Sequence, residues 1–525
     1  MPIPTQNQAE PPPLAGAANQ ETDGATLPPA PRPSPLSRRQ FLRAGAGLAL
    51  GVGLGAPALQ LLAGCAPVQR FPARRWDDLA ASLEGKLLRP GDPAFAARAT
   101  PWALQYAGVL PGGIAQCTSA ADVSTCLQWA QANQVPLVAR SGGHSYGGYS
   151  TTTGLMIDVA PMNGVAVDEA TGLATLGGGA RNRNVYAACR PLGRTVTHGR
   201  CYDVGVAGLV LGGGIGFNMR AHGLTCDQLV ATEIVLADGR ILTCSETENA
   251  DLFWACRGAG GGNFGIHTSF TFATFPVATF TVFKVTWTEQ LAAVLAALQT
   301  MSLAAPNALG LKVSVIARKE AGATVLSIQL LGQLDGPIDQ VNELLAPVFA
   351  VQQPAAADIH EAYYWDGQEF LSDAGHPEYS HERSRFAPGA IADDGIQTIL
   401  ANLTAWPGTG LVATWKYFLL GGVIDDLAPD EMAFVHRGYA MLTSIELEWL
   451  PTDSAEVVAE NKRWLNAFHD EMEQYTSAFC YQNFIDPSQE NYLHAYYGDN
   501  LPRLQDVKRA YDPGNVFHYP QSIPL

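Results

Sequence analysis

Two residues combine reactive chemistry with an unusual setting. His144 lies in Arg140-Ser141-Gly142-Gly143-His144-Ser145-Tyr146. Cys201 lies in Gly199-Arg200-Cys201-Tyr202-Asp203-Val204-Gly205-Val206-Ala207-Gly208. Imidazole and thiolate are nucleophiles that can add to an electron-poor ring. Taken singly, the histidine reads as a turn residue and the cysteine as a buried thiol. Two more glycine clusters follow, Gly212-Gly213-Gly214-Ile215-Gly216 and Gly260-Gly261-Gly262-Asn263-Phe264-Gly265. Such loops leave backbone amides free to approach a phosphate or a ring.

Two literal motif matches mislead. Gly143-His144-Ser145-Tyr146-Gly147 has the G-x-S-x-G form of an esterase nucleophile elbow, but no helix follows it. Gly260 to Gly265 has the G-x-G-x-x-G form of a dinucleotide fingerprint. That motif must follow a strand and open a helix, whereas here a helix precedes and a strand follows. No zinc, calcium or paired-cysteine motif occurs, so no metal site is expected.

The elements that must carry these loops can be read from periodicity. Ser119-Ala120-Ala121-Asp122 opens a helix with Val123, Cys126, Leu127 and Ala130 on one face. Val135 to Ala139 and Leu155 to Val159 read as strands, the first ending at Arg140. Val165–Val167 with Leu173–Leu176 suggests a hairpin. The Asp238-Gly239 turn makes a second hairpin of Glu233–Leu236 and Ile241–Thr243. Asn249 to Cys256 reads as a helix and Ile266 to Phe275 as a strand. Beyond Pro276 glycine clusters become few. Leu291–Leu298 reads as helix, Val325–Leu331 as strand, and Val457–Tyr475 as an amphipathic helix.

The chain has 525 residues, 47% hydrophobic and 15% charged, which is enough apolar material for large cores. With 32 basic against 49 acidic residues, its net charge of −17 speaks against nucleic acid as a partner. Residues 1–64 read as a leader. Ser37-Arg38-Arg39-Gln40-Phe41-Leu42-Arg43 has the twin-arginine form. The apolar stretch to Gln69 contains Pro57 and many glycines, which weakens a membrane-helix reading. Leu62-Ala63-Gly64-Cys65 resembles a bacterial lipobox, with Cys65 as the lipid anchor. The expectation is export by the Tat route to the periplasm or the exterior. There Cys117 and Cys126 could pair.

Together the motifs resemble the berberine-bridge-enzyme-like flavoproteins of the vanillyl-alcohol-oxidase, or PCMH-type FAD-binding, superfamily. The C-terminal matches are Tyr481-Gln482-Asn483-Phe484, Asn500-Leu501-Pro502-Arg503-Leu504, and Tyr511-Asp512-Pro513-Gly514-Asn515-Val516-Phe517 before Gln521-Ser522-Ile523-Pro524. The resemblance implies an α+β fold. It comprises a lead-in at 65–109, a two-part FAD-binding domain at 110–280, a substrate domain with a helix-covered sheet at 281–477, and a returning segment at 478–525.

The resemblance further implies FAD held by two covalent links, His144 to the flavin 8α-methyl and Cys201 to C6. Arg140, Ser141, Gly142, Gly143 and Ser145 would wrap the pyrophosphate. Gly205, Gly208 and Gly213 would line the flavin, and Gly262, Asn263 and Ile266 would form the third contact. The implied reaction oxidises a carbohydrate or secondary-metabolite hydroxyl by hydride transfer to flavin N5, and O₂ becomes H₂O₂. A dehydrogenase using another acceptor, a hydrolase and a binding lipoprotein are the alternatives. Relatives often place the base in Tyr-x-Asn-Tyr, and here Phe484 replaces the second tyrosine. Tyr481, Tyr202 or a residue of the middle domain is then the candidate base. On a strand, Tyr481 and Asn483 would share one face and Gln482 and Phe484 the other.

Overall fold

The computed structural model describes residues 73–373 and 375–525. The twin-arginine stretch, the apolar segment and Cys65 lie outside these residues. No helix among the described residues is long and apolar enough to cross a membrane.

The first sheet contains β1 (Lys86–Leu88), β2 (Gly113–Gln116), β3 (Leu137–Arg140) and β4 (Leu155–Asp158), in the order β1-β2-β4-β3. β4 runs parallel to both β2 and β3. Helix Ala120–Ala132 carries the chain from β2 across to β3 on the far side of β4, and the glycine loop at 141–154 makes the parallel return to β4. The Ser119 side chain caps this helix by accepting from the Asp122 N–H. The Asp122 carboxylate accepts instead from the N–H groups of Glu84 (2.7 Å), Gly85 (3.0 Å) and Thr118 (2.9 Å). Half of the capping box therefore ties down the lead-in. Val123, Cys126, Leu127 and Ala130 face the core as the periodicity requires. The Cys117 and Cys126 sulfurs are 3.9 Å apart, and both remain free thiols.

The second sheet holds β5 (Val165–Asp168) and β6 (Leu173–Gly177). After the two-residue β7 (Arg194–Thr195) it adds β8 (Leu229–Val235), β9 (Ile241–Ser245) and β10 (Ile266–Ala273). Its order is β5-β6-β10-β8-β9 and every pairing is antiparallel. The hairpins read from Val165–Leu176 and from Asp238-Gly239 are its two edges. β11 (Phe275–Pro276) pairs with β7.

The third sheet is antiparallel and seven-stranded. Its strands are β12 (Thr279–Trp287), β13 (Leu309–Glu320), β14 (Ala323–Leu334), β15 (Ala356–Tyr363), β16 (Tyr379–Ala387), β17 (Val412–Leu419) and β18 (Met441–Trp449). They run in the order β15-β12-β14-β13-β17-β18-β16. Alternate residues point to opposite faces. Leu311, Val313, Val315 and Ala317 of β13, Trp415 and Tyr417 of β17, and Ile445 and Leu447 of β18 pack into one apolar core. Helices Leu291–Ala304, Ile338–Val351, Asp393–Thr404 and Ala455–Glu471 contribute its other side. The last of these is shorter than its apolar pattern predicts, because Met472–Tyr475 tightens into a 3₁₀ turn.

The segment Tyr481–Phe484 is a turn and not a strand. The Phe484 N–H donates to the Tyr481 carbonyl at 2.9 Å, which closes a four-residue bend. The two-face reading of these residues is thereby corrected.

The third sheet docks on the first half of the chain through backbone contact. A Cβ on Gly310 would lie 2.7 Å from the carbonyl carbon of Phe217. Nearby, the buried Arg220 guanidinium donates to the carbonyls of Leu420 (2.9 Å), Pro306 (2.9 Å) and Leu309 (3.0 Å). Gly310→Ala must therefore push the sheet away, which costs about 1–3 kcal/mol of stability. Gly389 has open space around it, so Gly389→Ala stays within about 0.5 kcal/mol. Urea unfolding of the two variants measures the difference, and equal midpoints would contradict the docking contact.

Candidate active site

A cavity of about 620 Å³ lies between the glycine loops and the third sheet. Ligand pockets commonly span about 300–1,000 Å³. One wall is largely backbone, from Ser141–Ser145, Gly205, Gly208 and Gly260–Gly262. The opposite wall is the face of the third sheet that the helices leave uncovered. It presents Lys312, Ser314, Ile316 and Arg318 from β13, and Thr414, Lys416 and Phe418 from β17. Glu446 and Glu448 come from β18.

The loop after β3 and the loop after Cys201 press together. A Cβ on Gly142 would lie 2.7 Å from the Gly205 Cα, and one on Gly205 would lie 2.8 Å from the Gly142 Cα. These glycines are thus required by each other, whatever else they touch. The crossing brings His144 and Cys201 to one place. Gly375, at φ +65°, sits between them, and a Cβ there would lie 3.6 Å from His144 Cε1 and 3.5 Å from Cys201 Cβ. Those two atoms are therefore within about 7 Å of each other.

The environment of each nucleophile is distinct. His144 stacks on Trp102 (5.1 Å, 24°), Trp102 on Tyr146 (5.0 Å, 22°), and Tyr146 on Phe484 (5.6 Å, 6°). Burial, helped by the Arg181 charge, lowers the His144 pKa to about 4, so its ring is neutral at pH 7. Burial raises the Cys201 thiol to about 11, opposed by the charges of Arg200, Lys312 and Lys416. The Cys201 carbonyl accepts from Asn182 Nδ2 at 2.8 Å, and its backbone forms a β-bridge with Asp373.

A buried polar chain holds the same loop from behind. Asn218 Nδ2 donates to the Tyr364 hydroxyl (2.6 Å), which lies 2.7 Å from His198 Nε2. Gln333 reaches Asn218 (2.5 Å), and Gln368 reaches Gln333 (2.7 Å). The loop that carries Cys201 is thereby linked to β14 of the substrate-side sheet.

Of the residues singled out in the sequence, Ser141, Gly142, Gly143, His144, Ser145, Cys201, Gly205, Gly208, Gly262, Ile266 and Tyr481 line the cavity. Arg140, Tyr202, Gly213 and Asn263 do not. Arg140 is buried, and its guanidinium donates to the carbonyls of Ser150 (2.9 Å), Arg98 (2.6 Å) and Ala99 (3.0 Å). It braces the loop through these carbonyls and does not line the cavity. Tyr202 packs edge-on against Tyr186 at 5.2 Å. Gly213 backs onto the Phe434 ring, where a Cβ would come within 2.8 Å. Asn263 fastens the C-terminal segment. Its Oδ1 accepts from the Ile523 N–H (3.0 Å) and its carbonyl from Lys508 Nζ (2.7 Å).

Tyr481 reaches the cavity with its oxygen already occupied. The hydroxyl accepts from the Gly214 N–H (2.9 Å) and from Asn483 Nδ2 (3.0 Å). Burial still raises its pKa to about 12. Both donors favour the tyrosinate, but burial outweighs them and keeps the hydroxyl protonated at neutral pH.

The sequence reading missed the charged sheet face. Lys416 Nζ binds Glu446 (2.7 Å) and Glu382 (3.0 Å). Against the effect of burial, these two charges keep Lys416 protonated. The carboxylates of Glu378, Glu446 and Glu448 lie within 4.8 Å of one another. Burial and the Glu446 charge raise Glu378 to about 8 and Glu448 to about 7. The usable signal was alternation, as in Leu311-Lys312-Val313-Ser314-Val315 and Ile445-Glu446-Leu447-Glu448-Trp449. Charged residues every second place on a strand need a polar cavity or solvent on that side.

This geometry suits FAD. The 8α-methyl and C6 lie on one edge of the isoalloxazine, separated by a single ring position, and His144 and Cys201 converge on that scale. The glycine wall accepts a flat ring and a phosphate chain. Comparison with known proteins agrees. The FAD binding domain family matches residues 111–245, and the berberine and berberine-like family matches residues 480–524. The chain is 32% identical over 450 residues to the uncharacterized FAD-linked oxidoreductase YgaK of Bacillus subtilis, covering 84% of this chain and 97% of that protein. It is also 32% identical over 448 residues to glucooligosaccharide oxidase of Sarocladium strictum, covering 78% and 86%. The solved glucooligosaccharide oxidase from Acremonium strictum, with a 6-S-cysteinyl, 8α-N1-histidyl FAD, superposes with a TM-score of 0.74 at 27% identity. That match covers 86% of this chain and 99% of the other. The chain belongs to the berberine-bridge-enzyme-like FAD-linked oxidoreductases, and it is an FAD-dependent oxidoreductase.

Proposed function

We propose that this protein is an exported oxidase of a sugar-type hydroxyl, with FAD joined to both His144 and Cys201. The observation that carries the reading is the convergence of these two side chains around Gly375. A neutral imidazole is the form that can add to the 8α position. The nearby cations Arg200, Lys312 and Lys416 favour the thiolate that must add at C6. Bound FAD supplies the two-electron acceptor, and O₂ takes the electrons on to H₂O₂.

The sheet face supports a carbohydrate substrate. Ser314, Gln329, Thr414 and Lys416 offer donors, and Glu446 and Glu448 offer acceptors, for a ring rich in hydroxyls. Phe418, Phe484 and Tyr146 add flat apolar surface against which a sugar ring can rest. The similarity to glucooligosaccharide oxidase points the same way. The twin-arginine stretch and Cys65 support export in the folded state, followed by lipid anchoring.

Three outcomes follow. Acid-precipitated protein stays yellow, His144→Ala and Cys201→Ala each keep flavin by the remaining link, and the double variant releases it. A colourless pellet from flavin-loaded wild type would contradict the double link. Under air, oligosaccharides yield one H₂O₂ per sugar oxidised, and a screen that finds no peroxide with sugars or alcohols rejects the oxidase reading. Changing Arg38 and Arg39 to Lys retains the protein in the cytoplasm, and Cys65→Ser frees it from membranes in cell fractionation. A mature protein that is soluble with Cys65 intact rules out the anchor.

A further inference from the structure

Oxidation of a hydroxyl needs a group to take its proton, and the C-terminal motif does not supply one. Phe484 has no proton acceptor, and the Tyr481 oxygen is held by Gly214 and Asn483. Several other titratable groups on the cavity wall are engaged. Lys416 is tied to Glu446 and Glu382. His198 faces the Tyr364 hydroxyl, and Asp373 is paired with Arg200 at 3.0 Å. The Glu378 carboxylate has no ion pair among the described residues, but its backbone bonds to the Trp102 segment set it at the His144 end of the aromatic stack.

Glu448 and Arg318 also line the cavity without an ion pair among the described residues, and Lys312 differs from them in standing beside the C-terminal motif and Cys201. It lines the cavity, and its ammonium makes no hydrogen bond or ion pair among the described residues. Its register partner on β17 is Phe418, whose ring lies 6.2 Å from that of Phe484. Lys312 thus stands beside the position where the motif lacks a hydroxyl. Lys312 and Cys201 also feel each other's charge. Flavin C6 neighbours N5, the hydride acceptor, so a group beside Cys201 stands near the reacting atoms.

We infer that Lys312 is the base that takes the substrate hydroxyl proton, an inference that rests on the flavin placement proposed above. The O–H bond breaks as an N–H bond forms on Nζ. The carbinol carbon loses its hydrogen with two electrons to the oxidised flavin, and the substrate becomes a carbonyl compound. The ammonium then returns its proton to water. The amine is available because burial, together with Arg200 and Lys416, lowers the Lys312 pKa to about 7 against the opposing charges of Glu446 and Cys201. Buried lysines are known to serve as bases for this reason, and a base with pKa near the working pH is the most effective.

The test uses the flavin-loaded protein and an oligosaccharide that reduces the wild type without air. Wild-type flavin reduction rises with pH through about 7 and levels above it, because only the neutral amine accepts a proton. Lys312→Met and Lys312→Arg both slow reduction by about 10²–10⁴-fold and lose that rise. Arginine keeps the charge and cannot give up its proton, so retention of the rate within about fivefold by Lys312→Arg would overturn the proposal in favour of a purely electrostatic role. Lys312→Ala regains reduction when methylamine or ethylamine is added, in order of amine basicity, and a lack of rescue also counts against it. Independently of turnover, the oxidised flavin spectrum of the wild type shifts as pH crosses about 7; because Glu448 titrates in the same range, the shift must survive in Glu448→Gln and be lost in Lys312→Met, and the reverse pattern would overturn the proposal. Retained flavin colour identifies the variants that have folded. A wild type that no sugar or alcohol reduces refutes the proposed function, whereas normal reduction in the Lys312 variants refutes only the assignment of the base.

Discussion

Gly142 and Gly205 occupy adjoining backbone positions so close that neither admits a side chain. Much else in the site depends on this crossing. It aligns the end of β3 with the loop after Cys201, and it sets His144 and Cys201 on one side of the cavity. Overpacking a site of this kind costs about 1–3 kcal/mol, and the larger effect is geometric. If the loops separate, the two nucleophiles can no longer meet one ring edge. Gly375 completes the arrangement from the third-sheet side, so the site needs both parts of the chain.

The third sheet performs two tasks with one alternating pattern. Its odd-numbered β13 positions build an apolar core with four helices, and its even-numbered positions make the cavity wall. Charges on that wall are costly to bury, and Lys416 is paired there with Glu446. Breaking a buried pair by removing one partner typically costs about 3–5 kcal/mol. Lys416 with Glu382 and Glu446 is one such group, and Arg437 with Asp227 (2.7 Å), away from that wall, is another. Lys508 is fully buried, paired with Asp512 at 2.8 Å and bonded to the Asn263 carbonyl. It clamps the C-terminal helix onto the third glycine loop. Lys312, unpaired on that wall, stands beside Phe418 and Phe484, and that position is the reason for assigning it a chemical role.

The glycine loops, their two nucleophiles and most of the elements around them were legible in the sequence. Glycine spacing records backbone approach directly, and the Ser119 cap and the Asp238-Gly239 turn record local geometry. Residue roles that depend on where a side chain points were less legible. Arg140 sits in the motif, yet its guanidinium turns back onto the carbonyls of Arg98 and Ala99. Asn263 likewise serves the C-terminal segment. The Tyr481–Phe484 stretch alternates like a strand but closes as a turn, because one local hydrogen bond outweighs a four-residue pattern. The charged wall was missed because its members come from four strands, and only sheet order brings Lys312, Lys416 and Glu446 onto one face.

The most direct measurement is the mass of the flavin-bearing peptides after proteolysis of the loaded protein. The account predicts a single species in which the peptide containing His144, the peptide containing Cys201 and one FAD are joined. Recovery of both peptides at their unmodified masses, with free FAD in solution, would contradict it.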